Sequence, residues 1–184
     1  LEVLLYYWAH FLLDGKDVHR DSFTFQNMQR ATSKIYQAFH GGYAVIGLLA
    51  QIGMIAFRDP QGLRPLVLGQ RLMDDGTIRY CLCSETVALN YLGYDFVRDI
   101  APGELVFIDL EGQLHSATIP HKVQPKAPCV FEWIYFSAAE SKIENESVYQ
   151  VRLNLGTQLG KKARIAMDAG DIQGAVTAVA RRGK

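Results

Sequence analysis

The sequence predicts an α+β sandwich followed by the start of a second domain. Three observations carry that prediction. Apolar residues recur at helical spacing only near the two ends of the 184-residue chain. Between them, short apolar or alternating runs are separated by turns rich in Gly, Pro and Asp, the pattern of strands joined as hairpins. A segment with three prolines and two lysines, Pro120 to Pro128, then divides the strand-rich part from a strand, loop and helix.

Leu1, Leu4, Leu5, Trp8, Phe11 and Leu12 fall on one helical face, so a helix is expected over Leu1 to Leu13. No cap precedes it, which reads as a piece cut from something longer. Asp14-Gly15-Lys16-Asp17 ends it. Ser22 is the expected N-cap of a second helix with Met28, Ala31, Ile35 and Phe39 on its inner face, stopped by Gly41-Gly42. The period then changes. Tyr43 to Ala50 is almost wholly apolar, as expected of a strand covered on both faces. Gly53 to Phe57, Leu66 to Arg71 and Ile78 to Cys83 continue the strands, with a hairpin turn at Asp74-Asp75-Gly76-Thr77. Ser84-Glu85 reads as the cap of a short helix through Leu92, which Gly93 ends. Tyr94 to Ile100 alternates. Ala101-Pro102-Gly103-Glu104 has Pro and Gly where a type II turn wants them. Leu105 to Leu110 and Gln113 to Ile119 make another hairpin. After the linker, Cys129 to Phe136 is expected as a strand, and Ser147 to about Ala166 as a helix with Val148, Val151, Leu155 and Leu159 on one face. The implied division is residues 1–119, a linker at 120–128, and 129–184.

Lys plus Arg and Asp plus Glu both number 19, so the formal net charge is zero. Composition therefore favours neither a nucleic acid nor an acidic membrane as partner. The basic residues at Arg181, Arg182 and Lys184 read as a solvated tail. No apolar run reaches the ~18 residues of a membrane span, and the opening lacks the basic and small-residue features of a signal peptide. Three cysteines without metal spacing fit a reducing compartment. These readings describe a cytoplasmic protein.

Few residues show chemistry on their own. Cys81 and Cys83 share one strand face and read as buried thiols, because no third metal ligand stands at a suitable spacing. Cys129 begins the expected strand and reads as a packed thiol. His10, His19, His40, His115 and His121 are scattered, and none pairs with a carboxylate in a known motif. No P-loop or dinucleotide glycine fingerprint occurs. The loop Arg58-Asp59-Pro60-Gln61-Gly62-Leu63-Arg64-Pro65 is the densest cluster. An Arg–Asp fork buried between strands would brace it, with glycine giving the bend and prolines stiffening both shoulders. The alternative is that Arg64 holds a substrate carboxylate or phosphate.

"GMIAFRDPQGLRPLVLGQR" and "YCLCSETVALNYLGYDFVRDIAPGELVFIDLEGQL" together closely resemble the later half of a class II glutamine amidotransferase domain. Asparagine synthetases carry similar motifs. The continuation "APCVFEWIYFSAAESKIENESVYQVRLNLGTQLGKK" is similar to the junction into the phosphoribosyltransferase domain of the amidophosphoribosyltransferase family. The resemblance covers about residues 1 to 162. It implies an N-terminal-nucleophile αββα sandwich over residues 1–119, its later half, and the start of an α/β phosphoribosyltransferase domain from 129.

The resemblance also implies a reaction. An N-terminal cysteine frees ammonia from glutamine, and the ammonia displaces pyrophosphate from phosphoribosyl pyrophosphate to give phosphoribosylamine, the first step of purine synthesis. Magnesium accompanies the pyrophosphate substrate, and the parent is a homo-oligomer. In the family, the nucleophile and glutamine-binding residues precede the point matching Glu2, and the diphosphate and ribose-phosphate loops lie beyond Lys184. The chain alone is therefore expected to be inactive and to bind no cofactor. Arg58, Asp59, Gly62, Arg64, Pro65, Ser84 and Glu85 match family motif positions without a catalytic role to carry over, so they read as structural. Tyr135 falls at the domain junction, where an aromatic lines an ammonia passage or packs between domains. Cys129 matches an iron–sulfur ligand of some members, but cluster-free members keep a cysteine there, and no cluster is expected. Where the family reads phenylalanine, alanine or serine, arginine, proline, aspartate, serine, this chain has Phe136-Ser137-Ala138-Ala139-Glu140-Ser141. After Lys162 the match fails. A piece of an asparagine synthetase-like protein and a non-catalytic scaffold are the alternatives.

Overall fold

A computed structural model describes residues 2–13, 23–120 and 125–176. The turn expected at Asp14 to Asp17, the cap expected at Ser22, His19, His121 and the basic tail lie outside them. Two helices, α1 (Glu2–Leu13) and α2 (Phe25–Ala38), come first. Seven strands follow: β1 (Ala44–Leu49), β2 (Gly53–Arg58), β3 (Val67–Leu72), β4 (Ile78–Cys83), β5 (Asp95–Asp99), β6 (Glu104–Asp109) and β7 (Leu114–Thr118), with α3 (Thr86–Leu92) between β4 and β5. A short hairpin, β8 (Lys142–Ile143) and β9 (Glu146–Ser147), leads into α4 (Val148–Asp168).

The strands form two antiparallel sheets, ordered β1-β2-β6-β7 and β4-β3-β5. Alternation along β2 and β6 explains how they stack. Ile55, Phe57, Leu105 and Phe107 point to one face, against Trp8, Leu12, Met28 and Ile35 of α1 and α2. Ala56, Val106 and Ile108 point to the other, against Leu68 of the second sheet and Leu66 and Ile100, which flank its strands. α3 covers the far side of that sheet: Leu89 lies so close to Gly69 that a Cβ there would sit 2.5 Å from its Cδ2. The layers are helices, sheet, sheet, helix.

Several elements depart from expectation. The apolar run Tyr43 to Ala50 forms an edge strand, not one covered on both faces. Ile46 and Leu48 stay exposed because the three-stranded sheet leaves them uncovered. The cap of α2 is Thr24, whose hydroxyl accepts from Asn27 N at 3.2 Å. Cys129 to Phe136 is not a strand. Glu132–Phe136 winds as a π-helical turn, and Arg152 of α4 donates to the carbonyls of Trp133 and Ser137 at 2.6 and 2.7 Å. Those bonds satisfy the backbone locally, without a partner strand. On α4 only Val148 is buried; Leu155 and Leu159 face outward.

Candidate functional site

Arg58 ends β2 and is only 1% exposed. Its guanidinium donates to Arg64 O and Ile100 O, both at 2.7 Å, to Gly62 O at 2.9 Å and to Glu144 Oε1 at 3.0 Å. Asp59, also buried, accepts from Gln61 N and Leu63 N on Oδ1, each at 3.0 Å, and from Arg64 N on Oδ2 at 3.2 Å. The expected Arg–Asp fork does not form. Each side chain instead satisfies backbone groups of the loop that both begin, the guanidinium taking carbonyls and the carboxylate taking amides. Gly62 adopts a left-handed φ of 64°, and a Cβ there would lie 2.8 Å from Pro102 Cγ. Pro65 then leads the chain into β3.

The loop is also where the C-terminal segment attaches. Ala127 N donates to Gln61 O at 2.9 Å and Cys129 N to Leu63 O at 3.1 Å. Arg64 lies over the Phe136 ring, 5.4 Å from its centroid. Its Nη1 stands 2.8 Å from Oε1 of the buried Glu132, as an ion pair without hydrogen-bond alignment. Glu144, in the β8–β9 turn, holds Arg58 with one oxygen and Lys126 with the other. Burial acts to raise its pKa, but the Lys126 and Arg58 bonds outweigh that and lower it. Nearby Asp99 is pushed up, first by burial and then by the charge of Glu144.

Glu85 occupies the N-cap position of α3 but makes no cap. The capping role expected of Ser84-Glu85 is therefore corrected. Glu85 Oε2 reaches the chain more than fifty residues away, accepting from Ala138 N at 2.7 Å and Ser141 Oγ at 2.9 Å. Thr86 Oγ1 accepts from Lys142 N at 2.9 Å. Between these contacts lies a cavity of about 280 Å³, lined by Arg64, Pro65, Ser84, Glu85, Glu132 and Phe136 among others.

The other candidates stand apart. Tyr135 is 77% exposed on the outer face of the π-helical turn, edge-on to Phe136. Cys129 is half-buried beside Leu63. Burial pushes the Cys83 thiol up to about 11, which suits a packed thiol. Among the described residues, no three His, Cys, Asp or Glu side chains gather as a metal-ligand set. One pair was not legible beforehand: His115 Nε2 lies 2.8 Å from Asp109 Oδ2, across the β6–β7 hairpin, where the His115 ring stacks on Phe107. Only the strand register brings them together.

No family model matches the chain. Individual proteins do. It is 44% identical over 136 residues to the amidophosphoribosyltransferase of Escherichia coli K12, covering 74% of this chain and 27% of that protein. The chain belongs to the amidophosphoribosyltransferase family. The amidophosphoribosyltransferase of Pseudomonas aeruginosa is 38% identical over 161 residues, covering 88% of the chain and 31% of that protein. The fold agrees with a solved structure, the Bacillus subtilis glutamine PRPP amidotransferase complexed with ADP and GMP. The TM-score is 0.65 and the identity 31%, over 84% of this chain and 30% of that one. The chain thus spans less than a third of the length of these amidophosphoribosyltransferases. No helix among its described residues is long and apolar enough to cross a membrane.

Proposed function

We propose that this chain is the part of an amidophosphoribosyltransferase in which the glutaminase sandwich passes into the phosphoribosyltransferase domain. One observation supports the reading: similarity over 88% of the chain cannot fit within residues 1–119, so it continues past the sandwich. In the whole enzyme, water cleaves the glutamine side-chain amide to glutamate and ammonia. The ammonia nitrogen then bonds to C1 of phosphoribosyl pyrophosphate, the C1–O bond breaks, and pyrophosphate leaves. A proton lost from nitrogen completes phosphoribosylamine.

Residues 1–119 are read as the later half of an N-terminal-nucleophile sandwich, and the helix–sheet–sheet–helix layering supports this. Residues 129–184 are read as the start of the phosphoribosyltransferase domain. Arg58, Asp59, Gly62, Arg64, Pro65, Ser84 and Glu85 are structural in this reading, and Tyr135 faces the domain junction. The enzyme is cytoplasmic and homo-oligomeric, and needs neither nucleic acid nor membrane. Magnesium is read as accompanying the pyrophosphate substrate. Cys129 is read as a packed thiol and not as a cluster ligand.

The test compares residues 1–184 with the enzyme that carries them, each supplied with glutamine, phosphoribosyl pyrophosphate and magnesium. The enzyme is expected to release glutamate and pyrophosphate in equal amounts, and the chain alone to release neither. Turnover of glutamine by residues 1–184 alone would overturn the assignment of the chemistry to other parts of the protein.

A further inference from the structure

The polar groups of the two family motifs converge on one segment, residues 126–147. Arg58 reaches Glu144, Arg64 reaches Glu132, and Glu85 reaches Ala138 N and Ser141 Oγ. Arg58, Glu132 and Ser141 are each at least 95% buried. The Arg58 and Glu85 contacts are charge-assisted hydrogen bonds, short and directional, so they fix register in a way that apolar contact does not.

The sandwich does not depend on this segment for its core. Among the described residues, neither hydrophobic cluster includes a residue beyond Ile119. The segment is also held in a conformation its sequence disfavours: Glu144 and Asn145 have φ of 53° and 67°, left-handed values uncommon for Glu. Between the three attachments lies the π-helical turn, which turns Ile134, Tyr135 and Phe136 to solvent. π-helical turns are rare and often mark functional sites.

We propose that Arg58, Arg64 and Glu85 are positioning residues that register segment 126–147 on the sheet sandwich and so couple ammonia release to ammonia use. This rests on the amidophosphoribosyltransferase reading above. The three residues touch no reacting atom. They set where the junction surface stands relative to the domain that makes ammonia, and small misplacements at such a joint are costly.

The test is made in the enzyme carrying this segment, with Glu85→Ala, Ser141→Ala and Glu144→Gln. Three rates are measured: glutamine hydrolysis, synthesis from glutamine, and synthesis from added ammonium chloride. For Glu85→Ala, synthesis from glutamine is expected to fall about tenfold, while the other two rates stay within about twofold, because ammonia escapes before use. Ser141→Ala and Glu144→Gln should lower the same ratio by smaller factors. They decide the matter if Glu85→Ala fails to fold. Three rates that fall in parallel, or a ratio unchanged in every variant, would overturn the coupling role while leaving the enzyme's function intact. A wild-type enzyme that makes product from neither nitrogen source would overturn the functional reading, and the coupling role with it.

Discussion

Arg58 carries a large share of the loop's stability because its guanidinium has no water to fall back on. It satisfies three carbonyls and one carboxylate from a position that is 1% exposed. Arg58→Met keeps the side-chain bulk but leaves the Gly62, Arg64 and Ile100 carbonyls and Glu144 without it. Breaking a buried pair in this way costs about 3–5 kcal/mol, which denaturant unfolding of the wild type and variant would show as a lower midpoint at unchanged slope. Glu144 gives the same cluster a pH dependence. Its carboxyl is held below the ordinary value of 4.5, so its contribution is complete above that pH and is lost as pH falls through the lowered value. Arg58, Lys126 and Asp99 are the charged groups facing it. Asp99 is raised by burial and by the charge of Glu144, so its protonation relieves repulsion on Glu144. The stability gap between wild type and Glu144→Gln should therefore be constant from neutrality to about pH 4.5 and close below it. A gap that never narrows on acidification would mean that the charge of Glu144 does not hold the turn.

At the scale of elements, the contact of α3 with the second sheet rests on Leu89 filling the space that Gly69 leaves. Gly69→Ala overpacks that contact and should cost about 1–3 kcal/mol, while Leu89→Ala opens a cavity costing about 2–5 kcal/mol. Combined, the two should cost less than their sum, because the added methyl occupies part of the vacated space; thermal melts of the four proteins would measure the coupling. Additive costs would show that the two side chains do not share the space. The elements differ in how far the sequence announced them. β2, β6 and the turn at Ala101 to Glu104 were legible, since short apolar runs bounded by turns and the Pro-Gly pair are local signals, and Gly103 takes the expected left-handed φ of 71°. The edge position of β1 was not, because the same apolar run suits a central strand until sheet order is known. The β8–β9 turn carries Glu-Asn where Asn-Gly would have signalled it. The π-helical turn has the sequence pattern of a strand because its apolar run is short, and periodicity does not separate the two at that length. Of the loop, the sequence showed that Arg58, Asp59 and Arg64 belong together. Their partners Glu132 and Glu144 lie too far along the chain for spacing to reveal.

On the scale of the whole molecule, the two cores are closed but the rim is open. β1 lies at the edge of its sheet with Leu48 83% exposed. Leu5 and Tyr6 face outward from α1, and Leu155 and Leu159 from α4. An unpaired edge beside apolar side chains is a template for pairing with another chain, and apolar patches of this kind mark interaction surfaces or aggregation sites. Residues 1–184 in isolation should therefore have marginal stability and self-associate in a concentration-dependent way, visible as a rising weight-average mass in sedimentation equilibrium. A charge on the edge strand discourages edge pairing, so Leu48→Lys should lower that mass if β1 is the contact. A variant that associates like the wild type would move the contact to α1 or α4. Leu5→Lys and Leu159→Lys distinguish those two, since each places a charge on one face only. A sharp, monomeric and highly stable melt of residues 1–184 would instead mean that the open rim costs little, and that the sandwich is sufficient by itself.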